Sequence, residues 1–261
     1  MQKNCALIEK YRKRWLKPAS KTSCGGDMAR LFAALIRHGE YAQLANTPSA
    51  HQPFALTDTG RAQACDVASE LYDVIEKNGW SLIASIDSSR LLRSWQTAQL
   101  ISDRLQSLGL SESRVDSFDA LAERSVGSAA NLNVEQIAEV IRQDPRYPDP
   151  PADWKANCYY RLPLPGAESL LEAGERVASH LVARMNALRG EIRSDSLKVF
   201  VGHGASFRHA AFQLGILQFE QIAQLSMYHT RPVYFEYLCN KGWQQVEGEW
   251  KLRAAGSGFL D

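Results

Sequence analysis

The stretch Leu31-Phe32-Ala33-Ala34-Leu35-Ile36-Arg37-His38-Gly39-Glu40 decides how this chain is read: an apolar run stops abruptly at an arginine, a histidine and a glycine. Phe32, Leu35 and Ile36 mark a buried strand, and buried parallel strands present their chemistry at the carboxyl end. Arg37 and His38 stand there. The arrangement recurs downstream, where Lys198 to Val201 runs into Gly202, His203 and Gly204 and then a helix-like stretch. Two strand-end histidines in one sheet would meet across one pocket.

Working outward, Tyr41 to Phe54 carries Asn46, Pro48, Ser49 and Pro53, which predicts a loop arching over the strand end. Thr57 or Asp58 can cap a helix whose Ala64, Ala68, Leu71 and Ile75 recur at helical spacing until Asn78-Gly79. A short strand is expected over Ser81 to Ile86. A helix follows with Leu91, Trp95, Ala98, Ile101, Leu105 and Leu108 inward, closed by Gly109, and then a strand at Val115 to Phe118 leading into Glu123-Arg124. Residues 125 to 165 hold a helix from Val134 to Arg142 capped by Asn133, then Pro145, Pro148, Pro150, Pro151, Pro163 and Pro165. That proline density forbids a central strand or an unbroken helix, so the segment reads as an inserted lid over the carboxyl edge of the sheet. An amphipathic helix from Ser169 to Leu188, the strand at Lys198 to Val201, a helix from Ser206 to Leu214 and β-like stretches at Val233 to Leu238 and Trp243 to Leu252 complete the pattern. Alternating strands and helices imply an α/β fold, a three-layer α/β/α sandwich with a mostly parallel central sheet.

The chain has 261 residues and a net charge of +1, so it can bury a large core and exerts no global pull toward nucleic acid or membrane. Cys5, Cys24, Cys65, Cys158 and Cys239 lack metal-ligand spacing, which points away from a metal site or disulfide framework and toward a reducing, cytoplasmic setting. No apolar window reaches the roughly 20 residues of a spanning helix, and the amino end lacks a secretory h-region. Residues 1 to 28 read as a basic amphipathic helix and linker, with Leu7, Ile8, Tyr11 and Trp15 on one face; such a helix could touch an anionic surface or a partner, and the favoured reading is that it packs on its own domain, which is residues 29 to 261, or on the mate in a homodimer.

Arg37 and Arg93 supply permanent charge and forked donors that match phosphate oxygens, which suggests a dianionic ligand. Gly39 and Gly204 would leave room beside it, and the helix after His203 would aim its N–H groups at the same place. A neutral imidazole can attack phosphorus when its other nitrogen is tied to a carbonyl, and His38 suits that task. His203, protonated, would clamp the equatorial oxygens. Glu123 is the candidate proton donor to the leaving alcohol, with Asp119 and Glu112 as nearby competitors.

These motifs, Arg37-His38-Gly39-Glu40, Leu56 to Ala64, Ser89 through Arg93 to Ala98, and Gly202-His203-Gly204, resemble in order the signature of the histidine phosphatase superfamily, in its phosphoglycerate mutase-like branch. Glu123-Arg124 with Gly127 and Leu132-Asn133, Pro165 to Leu170, and Arg208 resemble that branch too. The resemblance implies that His38 is the phosphorylated nucleophile, Glu123 the proton donor, and Arg37, Arg93, His203 and Gly204 the phosphate pocket, with no metal or cofactor. Tyr41 stands where mutases have a serine, Leu44 where they have an asparagine and Val134 where they have a lysine, so binding of a small doubly anionic acid should weaken. Hydrolysis of a small-molecule phosphate ester is then favoured, with Tyr41 and Arg124 as substrate-binding candidates. Arg124 keeps the mutase alternative alive, and a non-catalytic phosphate-binding module is a third reading. His229 is a candidate for the pocket rim, while His51 and His180 read as surface groups and the tryptophans as packing residues.

Overall fold

The computed structural model describes residues 29–238 and 242–253, so the helix expected within residues 1 to 28 lies outside the described residues. Strand β1 (Leu31–Arg37) is followed by α1 (Asp58–Asn78), β2 (Ser81–Ser89), α2 (Leu92–Ser107) and β3 (Arg114–Phe118). Then come α3 (Val134–Arg142), α4 (Leu170–Arg189), β4 (Ser196–Gly202) and α5 (Gly204–Gln213). The short α6 (Phe219–Gln224) and β5 (Leu225–Ser226) lead into β6 (Val233–Leu238), β7 (Gly242–Glu247) and β8 (Lys251–Leu252).

A six-stranded sheet in the order β3-β2-β4-β1-β6-β7 forms the middle layer. The pairs β3/β2, β2/β4 and β4/β1 are parallel, and β6 and β7 extend the sheet by antiparallel pairing. Alternation along β1 feeds both faces: Phe32, Ala34 and Ile36 meet Val67, Leu71 and Ile75 of α1 and Ala98 and Ile101 of α2. Leu31, Ala33 and Leu35 meet Val177, Leu181 and Met185 of α4 and Phe207 and Ala210 of α5. This is the three-layer sandwich expected from the residue pattern.

Helix starts follow local chemistry. The Thr57 hydroxyl accepts from the Gly60 N–H, and Asn133 and Ser169 form reciprocal capping boxes with Gln136 and Glu172. Gly79 ends α1 in the left-handed region at φ 63°, where a side chain would be strained. Two strand stretches and one helix face differ from expectation in ways that shape the site. Strand β2 continues through Asp87, Ser88 and Ser89, because its end stays paired with β3 and β4. The first turns of α2 bury Arg93, Ser94 and Thr97, while Trp95 is 40% exposed, so that tryptophan is not a packing residue. The last expected stretch divides, with β8 pairing β5 in a separate two-stranded sheet.

The segment after β3 builds a small core of its own. Val126, Ala129, Ile137, Ile141, Trp154 and Leu162 pack together with Ala50, a residue of the loop that follows β1. An isolated bridge between Val126 and Ala167 closes the segment at its base. Loop and insertion are therefore joined by apolar contact at the carboxyl end of the sheet.

Candidate active site

Strands β1 and β4 are parallel neighbours in a register that pairs Arg37 with Gly202, which sets His38 beside His203. The His38 N–H donates to the Gly202 carbonyl at 3.0 Å, and the two imidazole centroids lie 5.0 Å apart. A carbonyl can only accept, so the 2.7 Å contact between His38 Nδ1 and the Gly39 oxygen puts the proton on Nδ1. Nε2 is left with its lone pair, which accepts from Arg93 Nε at 3.1 Å. Arg93 Nη2 lies 3.3 Å from His203 Nδ1, and since a guanidinium only donates, His203 carries its proton on Nε2 and donates to Ser89 Oγ at 2.9 Å.

Arg93, fully buried, is the hinge of this arrangement. Its Nη1 donates to the Gln52 carbonyl at 2.9 Å, and its Nη2 donates to the carbonyls of Ser49 at 2.7 Å and Ala50 at 2.9 Å. The guanidinium lies over the Tyr41 ring at 4.4 Å, a cation–π contact, while that ring meets His38 edge-on at 5.3 Å. Tyr41 is 5% exposed, and its hydroxyl is 3.0 Å from Ser49 Oγ. Burial lowers the Arg93 pKa to about 10, which still leaves the group charged at neutral pH. Thr97 secures the base of the site, accepting from the Gly39 N–H and donating to the Arg93 carbonyl.

Arg37 is buried alongside and donates from Nη1 to the Met227 carbonyl at 2.9 Å. His229 also lies against His38: its Nδ1 donates to the His38 carbonyl at 2.7 Å, with the rings 5.4 Å apart. His229, a rim candidate by sequence, thus lies against the His38 backbone and ring. His51 is exposed as expected, yet its Nε2 lies 3.2 Å from the Glu123 carbonyl oxygen, so it flanks the site.

Glu123 enters from the turn after β3 and is buried. Its carboxylate accepts from the backbone N–H groups of Arg124, Ala205 and Ser206 at 2.8, 3.2 and 3.1 Å. The amino end of α5 is thus directed at Glu123, whereas the sequence suggested that it would face the ligand directly. Arg176 of α4, which no sequence motif marks, holds this turn by donating to the carbonyls of Asp119, Ala120 and Ala122. Asp119, the competing acid, is an exposed partner of Arg90. The glycines also have reasons other than room for a ligand. A side chain on Gly39 would strike the Gly60 backbone, and one on Gly204 would crowd Arg37. Arg124 is buried with its guanidinium 5.6 Å over the Trp154 ring, and its backbone N–H donates to the Glu123 carboxylate.

His180 corrects the sequence reading. Its side chain is 9% exposed and its Nε2 contacts Asp87 Oδ2 at 2.9 Å, because this turn of α4 lies over the sheet.

Burial pushes the pKa values of His38 and His203 well below the ordinary imidazole value, and the charge of Arg93 adds to the effect in both. His209 is lowered to about 3, first by burial and then by Arg208. Below about pH 6.5 the unfolded chain takes up protons on these three groups that the folded protein refuses. Stability is therefore expected to fall as pH drops from 6.5 to 5, by up to about 1.4 kcal/mol per pH unit for each histidine. Urea-unfolding midpoints across that window check this, and His209→Gln should flatten the slope; a flat wild-type profile contradicts it.

Among the described residues no helix is long and apolar enough to cross a membrane. No curated protein matched the chain by sequence. Several solved structures share its fold. A mycobacterial hydrolase is 22% identical with a TM-score of 0.61, over 87% of this chain and 93% of its own. The mycobacterial glucosyl-3-phosphoglycerate phosphatase complexed with VO3 is 23% identical with a TM-score of 0.58, over 88% and 100%. Phosphoserine phosphatase from Entamoeba histolytica, complexed with 3-phosphoglyceric acid, is 19% identical with a TM-score of 0.59, over 84% and 96%. The family description that matches residues 33–247 is that of the histidine phosphatase superfamily (branch 1), and this chain belongs to that superfamily.

Proposed function

We propose that this protein is a phosphomonoester hydrolase that works through a phosphohistidine on His38. The observation that carries the reading is the pair of imidazoles 5.0 Å apart with the Arg93 guanidinium bonded to both. His38 Nε2 attacks phosphorus with its lone pair while the bond to the ester oxygen breaks, and Glu123, protonated for this step, gives its proton to the departing alkoxide. Water then attacks the phosphohistidine, its proton passes to the Glu123 carboxylate, and the P–N bond breaks to return neutral His38. Arg37, Arg93 and His203 hold the charge on the three non-bridging oxygens throughout.

Phosphoryl oxygens would take over the Arg93 donors now bound by the Ser49, Ala50 and Gln52 carbonyls, so substrate entry requires that loop to release them. Residues 125 to 165, joined to the loop through Ala50, would move with it as a lid. Hydrolysis is favoured over mutase transfer because Tyr41, at the position where mutases carry a serine, is turned inward against Arg93 with its hydroxyl engaged by Ser49 Oγ. The mycobacterial and Entamoeba relatives, both described as phosphatases, lean the same way.

Phosphate release from a chromogenic aryl phosphate, inhibited competitively by vanadate, tests the reading. Glu123→Gln sharpens it. The variant should lose about 10²-fold or more in kcat/KM on an alkyl phosphate, whose alkoxide needs the proton, and far less in kcat/KM on p-nitrophenyl phosphate, whose phenolate does not. Equal losses in kcat/KM on the two esters would remove Glu123 from the role of acid.

A further inference from the structure

The peptide unit between His38 and Gly39 is gripped at both ends. Its carbonyl oxygen accepts from His229 Nδ1 at 2.7 Å, and its N–H donates to Thr97 Oγ1 at 3.0 Å. One peptide further on, the Gly39 carbonyl takes the Nδ1 proton of His38 at 2.7 Å. Glycine leaves its flanking peptides freer to turn than any other residue would, so outside partners have to set their direction. A turn of the His38–Gly39 peptide would carry the Gly39 carbonyl away from Nδ1 and release the proton it holds.

His229 is delivered by a segment that lies along Arg37 and His38. The Met227 carbonyl accepts from Arg37 Nη1 at 2.9 Å, and the Thr230 N–H donates to the Arg37 carbonyl at 2.9 Å. An isolated parallel bridge joins Arg37 to His229. Thr230 adopts φ 51°, in the left-handed region that a β-branched residue rarely enters. Strain of this kind persists where the surroundings impose it, and it gathers at functional sites. Core packing does not account for the imidazole either. His229 is half-buried and borders an open cavity that it lines with Arg37, Gln43, Gln63 and Tyr228.

His38 depends on such support. Burial and the charge of Arg93 keep its ring neutral, so its reactivity rests on which nitrogen carries the single proton. With that proton on Nδ1 the Nε2 lone pair meets Arg93; with it on Nε2 no lone pair is left there to attack phosphorus.

Resting on the proposed hydrolase reading, we infer that His229 is a positioning residue for the nucleophile: by donating to the His38 carbonyl it sets the peptide whose direction keeps the His38 proton on Nδ1. It acts through the backbone of His38 and not on the substrate.

Substitutions at this position, assayed on an aryl phosphate, test the inference. His229→Phe keeps a ring and removes the donor. Its kcat should fall about tenfold or more while KM stays within about threefold, because Arg37, Arg93 and His203 remain in place. His229→Asn returns an N–H donor close to the position of Nδ1 and should bring kcat back to within about threefold of the wild type. The tautomer is the readout that a merely structural role does not move. Proton–nitrogen correlation spectra of the imidazoles, with the His38 resonances assigned by their absence from His38→Ala, should place the proton on Nδ1 in the wild type. In His229→Phe that proton should be shared between the two nitrogens. His229→Leu serves in both measurements if the phenylalanine variant folds poorly. A smaller loss of kcat, an unchanged His38 tautomer, or no recovery in His229→Asn overturns the inference and leaves the hydrolase reading intact. A wild-type protein that turns over no aryl phosphate overturns the hydrolase reading and the inference with it.

Discussion

His38→Ala is expected to lower kcat/KM for an aryl phosphate by at least about a thousandfold, with no recovery at any pH. The size of the effect follows from what is removed. His38 Nε2 is the lone pair that would form the bond to phosphorus, and the Nδ1 proton held by the Gly39 carbonyl is what keeps that lone pair available at neutral pH. No neighbouring group can substitute. His203 holds its Nδ1 lone pair against Arg93 and its Nε2 proton against Ser89, an orientation suited to donating charge-assisted hydrogen bonds once a phosphoryl dianion raises its pKa. His203→Ala should therefore cost less, about 10²- to 10³-fold in kcat, the usual effect of losing one transition-state donor. Circular dichroism and the unfolding midpoint separate chemistry from misfolding in both variants. Equal losses, or a larger loss at His203 than at His38, would reverse the assigned roles.

Asp87→Ala should have the largest effect on stability, about 3–5 kcal/mol in urea unfolding at neutral pH. Asp87 and Lys198 are both fully buried, with Lys198 Nζ 2.5 Å from Asp87 Oδ1. The other carboxylate oxygen receives His180 Nε2 at 2.9 Å and Arg184 Nε at 2.8 Å. Burial alone would raise the pKa of Asp87, but the hydrogen bond from His180 and the charge of Lys198 hold it below its usual value. Its contribution is thus present above the unfolded value of about 3.9 and is lost as pH falls through the lower folded value. Removing the carboxylate leaves the buried Lys198 charge with only the neutral oxygens of Ser85, to which its Nζ also donates, and its pKa is lowered by burial and kept up by Asp87. The double change Asp87→Leu with Lys198→Met removes both charges and should recover much of the loss, because a buried ion pair contributes little beyond mutual compensation. A loss below about 1 kcal/mol in Asp87→Ala would show that water or a neighbouring group supports Lys198 instead.

Some elements of this molecule were legible in the chain and others were concealed by it. Strands β1 and β4 were legible because an apolar run that ends in Arg-His-Gly or Gly-His-Gly has the form of a buried strand delivering polar groups at its carboxyl end, and their parallel register follows from the alternation of strands and helices. Helix starts at Thr57, Asn133 and Ser169 were legible because capping is local chemistry. The first turns of α2 misled for a physical reason: the inner face of a helix is normally apolar, but here it borders the pocket, so Arg93, Ser94 and Thr97 turn inward and Trp95 outward. The grip of Ser49, Ala50 and Gln52 on Arg93 runs through backbone carbonyls, which every residue possesses and no motif records. Arg176 and the Asp87 network were hidden similarly. An arginine or histidine on an amphipathic helix reads as surface until the neighbouring layer is in place, and Lys198 looked like the polar start of a strand although Asp87 buries with it.

The central claim is that His38 and His203 act on one phosphorus atom, with His38 as the nucleophile. It is tested most directly by rapid mixing with an aryl phosphate, quenching in base within the first turnover and mapping the phosphopeptide. The account predicts an acid-labile, base-stable phosphoryl group on His38, absent in His38→Ala and longer-lived in Glu123→Gln, where no carboxylate activates the water. A phosphoryl group on any other residue, or turnover with no phosphoenzyme under conditions where phenolate release shows a burst, would contradict it.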